Sequence, residues 1–297
     1  MDDRVLHGWS VDVEDWFHVL EYAGAPAIDQ WPLQQSRVEA ATLRMLDLLD
    51  LYGHRATFFC LGWIAVHHPQ VIAEIARRGH EIGSHGHSHA LVSSLSRDAF
   101  ARDLDASLEA LHRACGQTVK AFRAPGFSIG DEQTWAFGIL ASRGIDLDAS
   151  LFLADRAHGG ILLRRERPFE LVLAGGQRIL EVPIIPLQLA GRSLPFSGGG
   201  YLRVLPQPLL MAAFSAFERK GLAVAAYVHP RELDPDQPRL DLPWRRQWKY
   251  YVGLEGTVGK IESLFRAYRF AGLRAMAQAR PLDPPLQVGQ PPADEAA

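Results

Sequence analysis

Cysteine is almost absent from this sequence. The 297 residues include only Cys60 and Cys115, and neither belongs to a Cys-x-x-Cys pair. A disulfide framework needs an even set of cysteines at close spacings, and cysteine-based zinc sites need paired cysteines. The scarcity argues against both, and it favours two reduced, buried thiols in a reducing compartment.

Long apolar runs are also missing. No uninterrupted run approaches the roughly 20 residues that a membrane-spanning helix needs. The N-terminus, MDDRVLHGWSVDVEDW, has no basic segment followed by an apolar stretch, so it does not resemble a signal peptide. We therefore expect a cytoplasmic protein without a transmembrane segment.

The sequence has no block of like charges, and its formal net charge is −3. Proteins that bind nucleic acid or anionic membranes usually carry a basic block or stripe. Neither partner is therefore expected. The sequence also has no internal repeat of about 20–50 residues, the period of solenoids and propellers.

The sequence does contain an alternation of short apolar runs and amphipathic segments. Residues 6–13 and 55–62 are typical of strands, and residues 96–116 are typical of a helix. Ser36 and Glu39 form a capping-box pattern that opens another helix. Such alternation predicts right-handed βαβ units and a parallel sheet, open or closed into a barrel.

The second half of the chain departs from this alternation. Two apolar runs flank Gly175-Gly176, which predicts a β-hairpin. The segments at 244–252 and 257–268 have helical patterns. The chain past Arg280 is rich in proline and polar residues, and it should form a disordered tail.

Polar side chains cluster at the ends of the predicted strands. Chemistry in βα folds gathers at the carboxyl ends of parallel strands, because those ends meet at one edge of the sheet. The residues in question are Asp12, Glu14 and Asp15; His85, His87 and His89; Arg123; Asp148; and His229.

The stretch SHGHSH at 84–89 suggests a metal site. On a strand all three histidines would share a face, whereas on a tight turn only His85 and His89 would face one point. Gly83 and Gly86 would help the chain to wind tightly. Two imidazoles and a carboxylate, with one position open for water, are typical of catalytic zinc. We therefore expect His85 and His89 to be ligands and His87 to line the cleft.

The stretch DVED supplies three acids. Asp12 and Glu14 share a face if the strand continues, and Asp15 lies just past its end. A cation would relieve their mutual repulsion and leave one carboxylate free to act as a base. Arg123 could orient that base, and His229 has the titration range of a general acid.

A serine-hydrolase alternative rests on GFSIG at 126–130. This stretch matches Gly-x-Ser-x-Gly between a predicted strand and a predicted helix. The alternative would make Ser128 the nucleophile, but it leaves the histidines and the DVED acids unused. We favour Ser128 as a residue that helps to cap the following helix.

Five segments together resemble a known family. In order, SVDVEDWF, GHEIGSHGHSH, FRAPGFS, IDLDAS and YVHPRELDPDQPR resemble the motif series of the polysaccharide deacetylases of carbohydrate esterase family 4, the NodB-homology domain. More narrowly, the chain resembles the exosortase-associated exopolysaccharide deacetylases. This likeness runs from about residue 5 to residue 270, and it includes PFSGGGYLRVLP and YYVGLE.

The resemblance implies an α/β fold of a particular kind. The expected architecture is a distorted (β/α) barrel with a β-hairpin insertion and a C-terminal helical extension. Residues 1–280 would form a single domain, with about 231–280 as the extension packed on it, and 281–297 would be the disordered tail.

The resemblance also implies an activity. It predicts a divalent metal, usually Zn²⁺, and removal of N-acetyl groups from amino sugars of an N-acetylated polysaccharide or oligosaccharide, with release of acetate. Two alternatives stay open. One is an allantoinase-like hydrolase of a small cyclic amide or imide, and the other is a non-catalytic glycan-binding barrel.

The resemblance assigns a role to each candidate residue. His85 and His89 would bind the metal, and Asp12 would be the general base with Arg123 as its orienting partner. His229 would be the general acid, tuned by the carboxylate of Asp148. The commonest first motif of the family has two adjacent aspartates, but here Asp12 is followed by Val13, Glu14 and Asp15. The third metal ligand is therefore either Glu14 or Asp15.

Overall fold

Strands and helices alternate along most of the described chain. The structure is a computed structural model that describes residues 4–20, 22, 24–154, 159–189 and 192–288. The strands are β1 (Leu6–Val13), β2 (Thr57–Cys60), β3 (Glu81–Ser84), β4 (Ala121–Phe122), β5 (Leu147–Asp148), β6 (Phe169–Val172), β7 (Arg178–Glu181), β8 (Leu187–Leu189), β9 (Arg192–Leu194), β10 (Ala225–Val228), β11 (Arg269–Ala271) and β12 (Asp283–Gln287). The helices are α1 (Val38–Leu51), α2 (Gly62–His67), α3 (Pro69–Arg77), α4 (Arg97–Cys115), α5 (Trp135–Ser142), α6 (Gly199–Val204), α7 (Gln207–Arg219), α8 (Trp244–Tyr251), α9 (Leu254–Ala267) and α10 (Leu273–Gln278).

The main sheet follows the order β10-β1-β2-β3-β4-β5-β7-β6-β12, and β11 also pairs with β1. Neighbours from β10 to β7 are parallel. Strands β2, β4, β5 and β10 are buried throughout, as expected when both faces of a parallel sheet are covered. The predicted α/β fold with a parallel sheet is confirmed.

One face of the sheet encloses a core shared by strands that are far apart in the sheet order. Phe59 of β2, Leu147 of β5 and Tyr227 of β10 belong to a single buried cluster, together with Leu273 and Met276 of α10. This enclosed interior gives the fold its barrel-like character. Among the described residues, hydrogen bonds do not join the two ends of the sheet order into a closed barrel.

The hairpin and the late helices agree with the sequence patterns. Strands β6 and β7 pair antiparallel, and Gly176 in their turn has a φ of +78°, a conformation that glycine adopts without strain. Helices α8 and α9 cover the two segments with helical patterns.

Two segments differ from what their composition suggests. The glycine-rich stretch at 197–201 is not a loop throughout, because α6 begins within it, at Gly199. The chain past Arg280 was expected to be disordered, but β12 pairs with β6, and Asp283 accepts hydrogen bonds from the N–H groups of Glu166 and Arg167. These contacts satisfy backbone groups at an otherwise unpaired sheet edge. The last nine residues of the predicted tail, 289–297, lie outside the described residues.

Two further observations concern the whole described chain. Both cysteines are free thiols. Within the described residues, no helix has both the length and the apolar character needed to cross a lipid bilayer.

Candidate active site

The carboxyl ends of β1, β3, β4 and β10 place polar side chains around one point inside the fold. Parallel pairing aligns these ends along the same edge of the sheet. Asp12, His85, Arg123 and His229 follow or close these strands, as the strand-end argument predicted. All except His229 are buried, and the side chain of His229 is 15% exposed.

Glu14 meets two of the three histidines. Its Oε1 lies 3.2 Å from His85 Nε2 and 3.0 Å from His89 Nε2. The three residues form a buried cluster whose ligand atoms lie within 4.8 Å of one another. Burial by itself would raise the pKa of Glu14, but His89, His229 and His85 together lower it well below its ordinary value.

The hydrogen-bond pattern of this cluster fits a metal cation. His85 Nδ1 lies 2.7 Å from the carbonyl oxygen of Arg123. Since a carbonyl only accepts, Nδ1 carries a proton, and a neutral His85 ring would therefore present the lone pair of Nε2 to Glu14. Two acceptors would face each other at 3.2 Å, an arrangement that a cation between them stabilises. One carboxylate and two imidazoles suit zinc.

Backbone conformation brings His89 into the cluster. His89 has a φ of +56° and Gly86 has a φ of +74°. A left-handed conformation is uncommon for a residue other than glycine and tends to occur at functional sites. The two left-handed residues wind the segment back, so His89 joins His85 as the tight-turn hypothesis required.

His87 lies outside this cluster. Its backbone N–H donates to Asp103 Oδ2 at 2.7 Å. Its ring packs so closely on Gly62 that a Cβ atom on that glycine would lie 2.6 Å from His87 Nδ1. This location agrees with the expectation that His87 packs beside the cleft.

Asp15 points away from the histidines, towards the start of α1. Its Oδ2 accepts from Ser36 Oγ–H at 2.6 Å and from the N–H groups of Arg37 and Val38 at 3.0 and 3.3 Å. Asp15 therefore caps a helix that begins more than twenty residues later. Of the two alternatives for the third ligand, Glu14 lies in the cluster with the histidines and Asp15 does not. The expected capping box between Ser36 and Glu39 is wrong, since the Ser36 hydroxyl donates to Asp15.

Asp12 lies beside this cluster and is held by Arg123. Arg123 Nη1 donates to Asp12 Oδ1 at 2.7 Å and to Ser10 Oγ at 2.9 Å. The contact is through one nitrogen rather than bidentate. The guanidinium also packs over the ring of Phe59, 4.3 Å from its centroid, so aromatic faces fix its position within the interior.

His229 closes the opposite side of the site. Its Nε2 lies 4.0 Å from Asp12 Oδ2 and 3.8 Å from Glu14 Oε1, and its Nδ1 lies 3.6 Å from Glu232 Oε1. Burial by itself would lower the pKa of His229, but Glu14 and Glu232 raise it above its ordinary value.

Glu232 is the carboxylate that the sequence reasoning missed. It is buried, and Arg203 Nε donates to its Oε1 at 3.2 Å. Although burial would raise its pKa, His229 and Arg203 lower the pKa of Glu232 to about 2, so it is ionised at neutral pH. A usable signal was the His-x-x-Glu spacing of HPRE, which places Glu232 one turn after His229.

Asp148 does not occupy the place that the resemblance implied. It accepts hydrogen bonds from Ser150 N–H at 2.9 Å and Ser150 Oγ–H at 2.8 Å. Burial raises the pKa of its neighbour Glu181 well above the ordinary value, so that carboxyl can donate to Asp148. The carboxylate that faces His229 Nδ1 is Glu232, at 3.6 Å. This corrects the assignment of Asp148 as the group that tunes His229.

Ser128 takes part in local backbone structure. Its hydroxyl donates to the carbonyl of Pro125 at 2.7 Å and accepts from Val92 N–H at 2.9 Å. Both contacts hold loops together, so the geometry gives no support to a nucleophilic serine.

Comparisons with known proteins bear on this site. Residues 28–137 match the family model described as polysaccharide deacetylase, and residues 149–278 match a domain of unknown function, DUF3473. The first match contains His85, His89 and Arg123. The second, DUF3473, contains His229 and Glu232. The segment that is similar to polysaccharide deacetylases therefore meets the segment of unknown function at the site.

The curated relatives of residues in the first match are named as deacetylases of peptidoglycan and chitin. A Bacillus cereus peptidoglycan-N-acetylglucosamine deacetylase is 33% identical over 96 residues, which is 32% of this chain and 35% of that protein. Chitin deacetylase 2 of Saccharomyces cerevisiae is 35% identical over 93 residues, which is 31% of this chain and 30% of that protein. The chain thus matches about a third of the length of these relatives.

Solved structures share the fold at low identity. A provisionally assigned polysaccharide deacetylase from Mycobacterium smegmatis superposes with a TM-score of 0.63 at 20% identity, covering 98% of this chain and 96% of that one. The Bc1960 peptidoglycan N-acetylglucosamine deacetylase gives 0.50 at 16% identity, covering 93% and 89%. At these identities the superpositions show that the chain shares the fold of these proteins over nearly its whole length.

Proposed function

We propose that this chain is a metal-dependent hydrolase that removes N-acetyl groups from amino sugars of an exopolysaccharide and releases acetate. The observation that carries the proposal is the convergence at one point of a carboxylate–imidazole cluster, an arginine-held carboxylate and a carboxylate-held histidine. An amide hydrolase needs these three components, since it must polarise a carbonyl, activate water and protonate a leaving amine.

The metal we propose is zinc, held by Glu14, His85 and His89. Their buried oxygen and nitrogen atoms already face one another, and the donor set matches that of hydrolytic zinc sites. When bound, the ion would polarise the acetyl carbonyl and lower the pKa of water.

Asp12 would act as the general base. Its Oδ1 is engaged by Arg123, so Oδ2 is the oxygen left to accept the proton of the attacking water. Glu14 could not also act as the base once it binds the metal. Asp12, two residues earlier, would therefore be the base, and Glu14 would be the ligand.

His229 would act as the general acid. Its Nε2 faces Asp12 and Glu14, where the departing amine would form, and its Nδ1 faces ionised Glu232. Glu232 would orient the ring and stabilise its protonated form. Transfer of that proton to the sugar nitrogen as the C–N bond breaks would release acetate and a free amine.

The substrate class rests on two supports. The curated relatives are named for deacetylation of peptidoglycan and chitin, both N-acetylated glycans. The motif series, with PFSGGGYLRVLP and YYVGLE, resembles the exopolysaccharide group more narrowly. We therefore propose an N-acetylated exopolysaccharide rather than a cell-wall polymer.

Acetate release tests the proposal. Purified full-length protein is incubated with N-acetylated oligosaccharides before chelation, after chelation and after zinc add-back. We expect release that chelation abolishes and zinc restores, and that Asp12→Asn removes while Ser128→Ala preserves. Hydrolysis of a cyclic imide without acetate release would favour the allantoinase-like alternative, and stoichiometric zinc without any hydrolysis would favour a glycan-binding barrel.

A further inference from the structure

Helix α8, whose sequence is WRRQWKYY, has a composition unlike the rest of the surface. None of its residues is buried, and it contains no aliphatic side chain. Trp244 is 73% exposed and Trp248 is 57% exposed. Residues four apart lie on the same side of a helix, so the two indoles form one exposed aromatic strip.

The same helix carries concentrated positive charge. Its charged residues are Arg245, Arg246 and Lys249, and it has no acid, although the whole chain has a net charge of −3. Arginine also lies over aromatic rings nearby. Arg231 lies 4.6 Å from the ring centroid of Tyr250, and Arg239 lies 5.2 Å from that of Tyr251.

This aromatic–cationic surface (α8 with Arg231 and Arg239) adjoins the candidate active site. Arg203, which binds Glu232 beside His229, also donates to the carbonyl oxygens of Lys249 at 3.1 Å and Tyr250 at 2.8 Å. Arg231 is two residues from His229 and stacks on Tyr250. The end of α8 is therefore fixed to the residues that hold the proposed general acid.

We propose that the aromatic–cationic surface binds an anionic polysaccharide and guides its N-acetylated sugars into the adjoining site. This inference rests on the proposed function, and it narrows the substrate to a glycan that carries carboxylate or similar groups. Indole faces pack against the C–H faces of sugar rings, and guanidinium and ammonium groups pair with carboxylates.

The composition of α8 favours this occupant over two others. A helix that lies in a membrane interface buries a broad apolar face of Trp, Phe and Leu side chains, whereas the apolar side of α8 has two exposed tryptophans and no aliphatic side chain. A two-fold interface through α8 would place the three cationic residues of one copy against those of the other, and like charges that face each other across an interface are unfavourable. Both alternatives become outcomes of the test.

The test compares binding with turnover in the full-length protein. The probes are hyaluronan fragments, which are N-acetylated and carry carboxylates, and neutral N-acetylchitohexaose. The variants are Trp244→Ala/Trp248→Ala and Arg245→Gln/Lys249→Gln. Leu209→Ala on α7 is the control, because Leu209 is also exposed, at 58%. Binding is measured by calorimetry in an Asp12→Asn background, and acetate release is measured in the wild-type background.

We expect each double variant to weaken hyaluronan binding by about tenfold or more. In the charge variant, acetate release from N-acetylchitohexaose should stay at the wild-type rate, because this glycan has no carboxylate to pair with the cations. Leu209→Ala should bind hyaluronan like its parent. Added salt should weaken hyaluronan binding by the parent protein more than by the charge variant.

Several results would overturn the inference. One is that hyaluronan shows no saturable binding, or binds both double variants as it binds the parent. Another is that the charge variant loses activity on N-acetylchitohexaose as much as it loses hyaluronan binding. Binding to phosphatidylglycerol vesicles instead of hyaluronan, or concentration-dependent dimerisation that the tryptophan variant abolishes, would also overturn it. Failure of the proposed function would look different, because hyaluronan would bind through α8 but neither glycan would release acetate.

Discussion

At the scale of single residues, the three histidines of SHGHSH have two different environments. The turn at Gly86 and His89 brings His85 and His89 to Glu14, while His87 packs on Gly62. Neighbours in sequence therefore have separate chemical roles, because backbone conformation, rather than residue type, decides which ring reaches the cluster.

The first prediction concerns bound zinc in these histidine variants. His85→Ala and His89→Ala should lose zinc after dialysis, since each removes one of the clustered donor atoms, and His87→Ala should retain it. Elemental analysis of the purified proteins measures this. Equal loss in all three would mean that His87 is also a ligand and that the proposed set is wrong.

The second prediction concerns a histidine outside the site. Burial lowers the pKa of His80 to about 4, and its Nδ1 accepts the N–H of Ala56 at 3.2 Å. When pH falls below the unfolded value of about 6.5, the unfolded chain takes up a proton that the folded chain does not, so stability falls. This histidine should account for a loss of about 2 kcal/mol in the free energy of unfolding between about pH 7 and about pH 5.

Urea unfolding at both pH values checks this, with His80→Asn as the matched variant. The asparagine oxygen can replace Nδ1 as the acceptor, but the side chain does not titrate. The variant should therefore show the smaller pH dependence. Equal slopes in the two proteins would contradict a buried neutral His80.

At the scale of elements, β1 and α1 are joined by one carboxylate. Asp15 follows the strand and accepts the N–H groups that open the helix, so the loop of about twenty residues between them is closed by capping. Glu14, the adjacent residue, points to the other side, because successive residues of an extended chain alternate in direction.

The third prediction separates these two acids. Asp15→Asn should lower the free energy of unfolding by about 0.3–1 kcal/mol, because it removes the negative charge at the helix N-terminus while keeping a capping oxygen, and it should retain zinc. Glu14→Gln should lose zinc. Chemical unfolding and zinc content are measured on both variants, and zinc loss in Asp15→Asn with a normal Glu14→Gln would reverse the assignment.

The fourth prediction concerns the close approach of α6 to β10. A Cβ atom on Gly198 would lie 2.0 Å from Tyr227 Cδ1, so Gly198→Ala should destabilise the protein by about 1–3 kcal/mol. The control is Gly256→Ala in α9, where a Cβ atom meets nothing within 4 Å. Alanine there should stabilise by up to about 1 kcal/mol. Thermal unfolding distinguishes them, and similar shifts in both would argue against this packing.

At the scale of the whole molecule, the candidate site joins two segments that match different family models. The metal-type histidines lie in the deacetylase match, and His229, Glu232 and Arg203 lie in the segment of unknown function. Arg203 also donates to the carbonyl oxygens of Tyr250, in α8, and Val252, just after that helix. We infer that the second segment supplies the proposed general acid, His229, and the carboxylate that faces it, Glu232.

The fifth prediction tests this division. Glu232→Gln removes the charge beside His229 while keeping the shape, so kcat should fall by about tenfold to a hundredfold with little change in KM. Glu255→Gln, at an exposed position of α9, should leave kcat unchanged. Steady-state kinetics measures both, with thermal unfolding as the check on folding. Unchanged kcat in Glu232→Gln would remove Glu232 from the mechanism.

Much of the fold was accessible from sequence because its elements have local causes. Strand β1 was predicted with its observed bounds, and the hairpin followed from two apolar runs around Gly175-Gly176. The C-terminal strand β12 was missed because DPPLQ has no strand pattern of its own. It pairs only because the edge of β6 is open beside it.

The sequence by itself determined the set of chemical groups and the sheet edge at which they meet, because strand periodicity and parallel pairing are local and repetitive. Only the tertiary structure decided which carboxylate faces which partner. Glu14 rather than Asp15 reaches the histidines, and Glu232 rather than Asp148 reaches His229. Those choices depend on side-chain directions and on contacts between residues far apart in the chain, such as Asp15 with α1 and Arg203 with Glu232.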